Sequence, residues 1–485
     1  MKKKTFLALL CALIGTMTIG AAVGCGTPSE TPNDTPPVSG DLGGENQGNE
    51  NQGGSENNGN ENQGGENGDN ENNGGENQGN ENNGDETGDS EVNALTISSP
   101  TGVVYPYVDA ARAFLEAGAE ADVADYATKM DNPQVPIQVK WRYDAEGARK
   151  FLIEYATKAD YSNAITVEMG AAKRSLELYN LYKGSKYYLR ITAMNSKGET
   201  LHKAESQFET TDLGPRVINV DGAYNVRDLG GFDTCFGKKI VQGIAYRGGM
   251  LRYTSSGVNG NLTDAGRKTM SEELGIKAEL DFRTEEESWV PLENGSSIPG
   301  ATLTYITADG YENIFLMDSQ REAYRKVFAY LSNKDNYPLY YHCTAGADRT
   351  GTVSYVLHAF LGVSELECHQ DFAFTSFSIY GTRGSQSSTS EIAARYAQMR
   401  TLMSEQQGDT LQQKAENYLL SIGVTAEQLA NIKGIFFGEI AIGNRGESGE
   451  QAARVTPVSM EKQAKAANEL LEETLFGITL QKKED

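Results

Sequence analysis

A chain of 485 residues with a formal charge of −24 is longer than one hydrophobic core usually serves, so two or three domains are expected. The charge is unevenly placed: residues 26–93 hold sixteen Asp or Glu and no Lys or Arg, which is two thirds of the net charge. The remainder is only mildly acidic, which argues against a nucleic-acid partner.

Lys2, Lys3 and Lys4 precede an apolar or small stretch over residues 6–23, followed by Gly24-Cys25. This is the pattern of a secretory signal. The "AAVGC" ending resembles the lipobox of bacterial lipoproteins, with Ala22 where that family prefers Leu. The resemblance implies that Cys25 is diacylated and becomes the mature N-terminus, anchoring the chain to the outer face of the bacterial cytoplasmic membrane. The alternatives are an ordinary cleaved signal, which would give a secreted protein, and an uncleaved single-pass anchor. All three export the body of the chain. Residues 26–93 then pass from a Pro/Thr-rich start into a five-residue near-repeat, "ENNGG ENQGN ENNGD". With almost no apolar side chains to bury, such a segment cannot offset its ordering entropy and reads as a disordered tether. A flexible coil of this length spans roughly 45 Å r.m.s..

From Ala94 the composition becomes globular. "ALTISSP" reads as a strand and "DAARAFLEAGAEADVADYATKM" (109–130) as a helical excursion. Short alternating runs follow, "PIQVKWRYD", "KFLIEYAT", "AITVEM", "YYLRITAMN" and "ESQFETTD", as in a β-sandwich. The spacing of Leu181, Tyr187, Leu189, Ile191, Ala193, Asn195 and Gly198, with Trp141 upstream, resembles a fibronectin type III domain. That resemblance implies a core Trp141, a tyrosine corner at Tyr187, and a spacer or docking role for residues 94–212.

Over residues 213–443 strand-like and helical runs alternate: "IKAELDFRTEEE", then the amphipathic "SQREAYRKVFAYLSN", then "YPLYYHC" and "TGTVSYVLHAFLG". "AENYLLSIGVTAEQLANIKGIFF" reads as two helices joined at Gly423, the second capped by Thr425. The pattern implies an α/β domain, a central sheet flanked by helices. Residues 444–485 are a polar break and a helical tail, the helix over 459–475. The fold is therefore multidomain, an all-β sandwich followed by an α/β domain.

Of five cysteines, Cys11 falls in the signal and Cys25 in the lipobox, leaving Cys235, Cys343 and Cys368. An odd number is no disulfide framework. Cys368 beside His369 lacks the second ligand pair that a zinc site needs. Cys343 stands apart because of its neighbours in "HCTAGADRT" (342–350). A loop between strand and helix turns its N–H groups toward an anion, and the helix N-terminus adds positive charge. The small Thr344, Ala345, Gly346 and Ala347 let the backbone approach an oxyanion, and Arg349 offers a planar fork to two oxygens. The same field favours a thiolate nucleophile. Thr350 is placed to hydrogen-bond the sulfur.

These residues resemble the HCxxGxxR[ST] loop of cysteine-dependent protein tyrosine phosphatases. "YNVRDLGGF", "AYRGGML" and "LDFRTEEE" are similar, in order, to segments of the bacterial tyrosine, dual-specificity and lipid phosphatases. Gly248 departs from that pattern, where Ser is usual. The resemblance implies Cys343 as nucleophile, Arg349 and the loop amides as phosphate ligands, His342 as the residue that orients the loop, and Asp348 as general acid, with helix capping as the alternative role of Asp348. Asp309 in "TADGYEN" is the competing acid. Arg227, Asp228 and Arg247 are candidates for substrate or loop contact, with a turn salt bridge or a surface position as alternatives. Asp281 and Arg283 are expected to brace the site, and His358 to lie in the core. No metal or other cofactor is implied. The expected activity is hydrolysis of phosphotyrosine or other protein phosphomonoesters through a phosphocysteine. An inositol phosphate or phosphoinositide is the alternative substrate, against which Ala347 speaks because lipid-active members often carry Lys there. A surface binding protein with an accessory phosphatase domain is the alternative from another class.

Overall fold

The computed structural model describes residues 94–442, apart from 128–129, 131, 253–261 and 289–291. The signal with Cys25, the acidic tether and the 444–485 tail lie outside the described residues.

The first part contains β1 (Leu95–Ser99), β2 (Gly102–Val104), α1 (Asp109–Ala117), β3 (Ile137–Tyr143), β4 (Lys150–Ala156), β5 (Ile165–Gly170), β6 (Ser175–Leu178), β7 (Lys186–Met194) and β8 (Thr200–Thr210). Two sheets form, β1-β3-β6 and β2-β8-β7-β4-β5. The alternation that foretold the strands is the alternation of burial. Val139, Trp141, Phe151, Ile153, Tyr187, Leu189 and Ile191 face inward at 3 % exposure or less, as period-two side chains on a half-buried sheet must. Trp141 meets Phe151 edge-on at 5.5 Å, and the Tyr187 hydroxyl accepts the Tyr182 N–H at 2.8 Å.

The helical excursion read over 109–130 is one short helix followed by two turns. Gly118, at φ 67°, ends α1, and 3₁₀ turns follow at Gly118–Glu120 and Val123–Asp125. Nor does α1 belong to the sandwich core. Its buried Phe114 and Leu115 join a separate apolar cluster with Val217, Ala373, Phe374 and Phe377, which come from the second domain.

That domain runs β9 (Arg227–Asp228), β10 (Ala245–Gly248), α2 (Asp264–Lys268), β11 (Ala278–Asp281), α3 (Glu285–Ser288), β12 (Thr302–Tyr305), α4 (Asn313–Leu316), α5 (Asp318–Leu331), β13 (Leu339–His342), α6 (Asp348–Phe360), α7 (Glu365–Ala373), α8 (Glu391–Ser404), α9 (Leu411–Ser421) and α10 (Ala426–Phe436). The sheet order is β12-β11-β13-β10-β9. All its pairings are parallel except β9 against β10. The central β13 is buried along its whole length, and so is α6 from Thr350 to Phe360, as a parallel sheet covered on both faces requires. Gly423 takes φ 89° between α9 and α10, and Thr425 with Gln428 forms a capping box on α10.

Polar contacts join the two parts. The Arg216 guanidinium donates to the Leu181 carbonyl at 3.1 Å and to Asp228 at 2.7 Å. Lys183 Nζ donates to Gly214 O at 2.8 Å, and Asn180 Nδ2 to Glu273 at 2.9 Å.

Candidate active site

The central strand delivers Cys343, 2 % exposed, to the start of a tight loop. Gly346 takes φ 64°, and a Cβ there would stand 2.2 Å from the Gly248 carbonyl. Only glycine permits that crossing. Gly248 has its own reason: a Cβ on it would lie 2.3 Å from the Tyr340 hydroxyl, which donates to Gly249 O. The tyrosine fills the space that a serine would need.

Four successive carbonyls of the loop are tied back into the protein. His342 Nδ1 donates to Cys343 O at 3.0 Å, and Met250 N to Thr344 O at 3.0 Å. Asn225 Nδ2 donates to Ala345 O at 3.0 Å and Gly346 O at 3.2 Å. Arg247 Nη2 also donates to Gly346 O, at 2.8 Å. Among the described residues none accepts from the N–H groups of 344–347. A chain with its carbonyls held on one side presents its amides on the other, which is an anion cradle.

Arg227 and Arg247 were candidates for substrate contact; the structure corrects this. Both are buried, at 1 % and 0 % exposure, and both grip the buried Asp371. Arg227 Nε reaches Asp371 Oδ1 at 3.0 Å, and Arg247 Nη1 reaches Oδ2 at 2.6 Å. Arg227 also donates to Asn225 Oδ1. The pair braces the loop from beneath and leaves a net positive charge there. Burial and the neighbouring Arg247 bring Arg227 down to about 10 despite Asp371. Burial alone would raise Asp371, but the two guanidiniums hold it far below the carboxylate range. Asp228 likewise has no surface for a substrate. Its oxygens accept from Gly230 N, Arg216 and Gly243 N.

His342 is fully buried, with Nε2 2.9 Å from Glu279. Its two partners, a carbonyl and a carboxylate, only accept, so both ring nitrogens carry protons. Burial opposes that charge, but Asp281 and Glu279 outweigh it and raise the imidazole. Asp281 in turn takes the Arg283 guanidinium at 2.8 Å, the bracing pair expected of them. Thr350 Oγ1 is buried with no hydrogen-bond partner. Arg349, at the mouth, is held by Glu287 through both terminal nitrogens.

Residues 218–437 match the model of the tyrosine phosphatase family. They form a tyrosine phosphatase family domain. A Cupriavidus necator protein named as a tyrosine-protein phosphatase is 29 % identical over 173 residues, 31 % of this chain and 60 % of that protein. The chain thus spans less than two thirds of that relative's length. A Nostoc commune tyrosine-protein phosphatase is 26 % identical over 213 residues, covering 36 % of this chain and 70 % of that one. The core catalytic domain of a PP-IP phosphatase from S. cerevisiae, solved with citrate, is 21 % identical over 27 % of this chain and 71 % of its own, at a TM-score of 0.21.

Within the phosphatase domain the two candidate acids differ sharply. Asp348 opens α6 and is ion-paired to Arg383, Nε to Oδ1 at 2.7 Å, and accepts from the Tyr311 hydroxyl. Burial would raise it, but Arg383 and Tyr311 hold it below its ordinary value, so the ligand-free site carries a carboxylate there. Asp309 turns away. Its oxygens accept from Gly310 N and from the Asn313 side-chain amide at the start of α4. The nearby Tyr311 N–H binds Thr352 Oγ1 on α6 at 2.9 Å, and the Tyr311 hydroxyl binds Asp348, so this loop touches the site through Tyr311 rather than through the alternative acid Asp309.

Asn225, Glu287, Tyr311, Asp371, Tyr380 and Arg383 were not singled out from sequence. Asn225 and Glu287 lie inside the quoted motifs, which was a usable signal. The Tyr380 hydroxyl is buried without a partner; burial, Tyr224 and the Cys343 sulfur all raise it. The His358 ring packs against Phe232 in the core, as read.

Proposed function

We propose that this chain is an exported, lipid-anchored phosphatase that hydrolyses phosphotyrosine or other protein phosphomonoesters. Export and anchoring rest on the charged, apolar and small-residue pattern of residues 1–25. The sandwich, read as fibronectin-like from Trp141 and Tyr187, would be a spacer or docking module.

The loop carries the reading: a buried thiol, amides and a Thr350 hydroxyl without partners among the described residues, and Arg349 at the mouth. The Cys343 sulfur attacks phosphorus, forming an S–P bond as the P–O bond to the leaving group breaks. Asp348 gives that oxygen its proton. Water then attacks phosphorus, Asp348 takes its proton back, and the S–P electrons return to Cys343 as phosphate leaves. Loop amides and Arg349 hold the equatorial oxygens throughout. Asp348 needs a proton first, and an arriving phosphate dianion supplies the like charge that favours the protonated carboxyl.

Charge pairing favours a substrate with one phosphate. Arg349 holds Glu287, Arg383 holds Asp348, Arg395 holds Glu312 and Arg283 holds Asp281. Ala347 adds no cation. With Arg349 given to the phosphate being cleaved, the further phosphates of a ring bearing several would find Arg383, Arg395 and Arg283 already neutralised. The test is phosphate release without added metal from a phosphotyrosine peptide, a phosphoserine peptide, inositol hexakisphosphate and a phosphoinositide. A phosphotyrosine peptide at least about tenfold ahead in kcat/KM, or about 1.4 kcal/mol, is the expected result. An inositol substrate at the head of the ranking would replace the substrate reading, and no turnover on any would move the weight to a binding role. For the anchor, Cys25→Ser is expected to move the protein from the membrane fraction to the soluble one; unchanged partitioning would remove lipidation.

A further inference from the structure

Residues 374–377 form a 3₁₀ turn, and the chain from Ser378 to Ser390 has no helix or strand. This irregular segment carries Arg383, the partner of Asp348, and Tyr380 beside the thiol. Something outside it must fix its position, because an unbraced loop loses little on opening. The structure provides two anchors, both from the excursion over residues 107–127.

The first is apolar. Phe114 packs on Phe377 at 5.8 Å and Tyr107 on Phe374 at 5.9 Å between ring centres, all four buried to 3 % exposure or less. The second is polar and lies beyond Arg383. Asp122 Oδ2 accepts the Ser387 N–H at 2.6 Å and the Ser385 hydroxyl at 3.2 Å, while Oδ1 accepts Ala124 N at 3.0 Å. Burial opposes its charge, yet these donors together outweigh it and hold the Asp122 carboxyl at about 2, so the tie persists through the neutral range. Between the anchors Arg383 is fixed by its own backbone: Arg383 N donates to Ser376 Oγ at 2.8 Å, and that hydroxyl donates back to Arg383 O at 2.9 Å.

We propose that the 107–127 excursion is part of the catalytic unit, with Asp122 as a positioning residue that ties down residues 376–388 and so holds Arg383 and Asp348 where the leaving oxygen is protonated. This rests on the reading of Asp348 as the acid. A spacer domain would need no charged bond to a backbone amide 265 positions away.

A phenolate leaving group needs a proton, and a dinitrophenolate does not, so the two aryl phosphates separate loss of acid delivery from general damage. On the full chain, Asp122→Ala is expected to lower kcat/KM, which reports the proton-donating first step, about tenfold on phenyl phosphate and less than about twofold on dinitrophenyl phosphate. Asp122→Asn keeps one acceptor and should lose less. Hydrogen exchange should quicken in peptides covering 376–388 and stay unchanged in β3, β4 and β7. Asp348→Asn serves as the benchmark, with a loss of roughly a hundredfold on phenyl phosphate alone. Equal losses on both substrates in Asp122→Ala, or unchanged exchange in 376–388, would overturn the proposal. If Asp348→Asn treats the two substrates alike, the acid assignment falls and takes this proposal with it. If Asp348→Asn discriminates and Asp122→Ala does not, only the positioning role falls.

Discussion

Cys343→Ser is expected to lower kcat/KM on a phosphotyrosine peptide by roughly 10⁴-fold or more while inorganic phosphate still binds within about tenfold of wild type, or about 1.4 kcal/mol. The two halves rest on different atoms. Binding belongs to the loop amides and Arg349, none of which the substitution touches. Turnover belongs to the sulfur. A serine hydroxyl must lose its proton to attack, and among the described residues no side chain is free to take it in that step, because Asp348 must then hold a proton for the leaving oxygen. His342, the nearest imidazole along the chain, uses both ring nitrogens as donors, to Cys343 O and to Glu279. Glu287 is occupied by Arg349, and Asp348 by Arg383. Steady-state hydrolysis with calorimetric phosphate binding checks both halves. A Cys343→Ser protein retaining a tenth of wild-type turnover would exclude the thiolate mechanism. One that has lost phosphate binding as well would show that the sulfur holds the loop in shape, and the kinetic loss could not then be assigned to chemistry.

The range of each interaction decides how much of this site the sequence revealed and how much it concealed. The 342–350 loop was legible because a phosphate dictates its parts locally: small residues for close approach, an arginine fork, a helix start. The sandwich strands were legible because a half-buried sheet imposes period two on its own residues. The GVV and SLEL strands, β2 and β6, were too short to show it. For Arg227 the sequence left substrate contact, loop contact and a turn salt bridge open, and for Arg247 phosphate contact or a surface position, because nothing local says which way an arginine in a motif points. What buries them is Asp371, which is 144 and 124 residues further on, and nothing near either arginine announces it. The excursion at 109–130 shows the same blindness from the other side. Its sequence indicated a helical excursion but neither its length nor its purpose. The turn conformation of Gly118 and the apolar partners Phe374 and Phe377 decide both its length and its role.

Asp371→Asn is expected to cost roughly 3–5 kcal/mol of stability, the usual penalty for removing one member of a buried ionic group. The bookkeeping is of charge. In the wild type Arg227, Arg247 and Asp371 sum to +1 beneath the loop; with Asn they sum to +2, and an amide NH₂ faces a guanidinium that can only donate. Denaturant midpoints measure the loss. Activity of the folded fraction should fall as well, because Arg247, together with Asn225, ties back the Gly346 carbonyl of the loop. The pH dependence has a defined sign. The folded Asp371 carboxyl titrates well below its unfolded value, so it adds stability above the ordinary carboxylate range that is lost as pH falls toward the folded pKa. The variant should show a shallower decline on acidification. Adding Arg227→Met to Asp371→Asn restores the net charge to +1, so the double variant should be less destabilised than the sum of the two single losses. Strict additivity would mean that the three side chains contribute separately, and the cage under the phosphate loop would then be packing rather than paired charge.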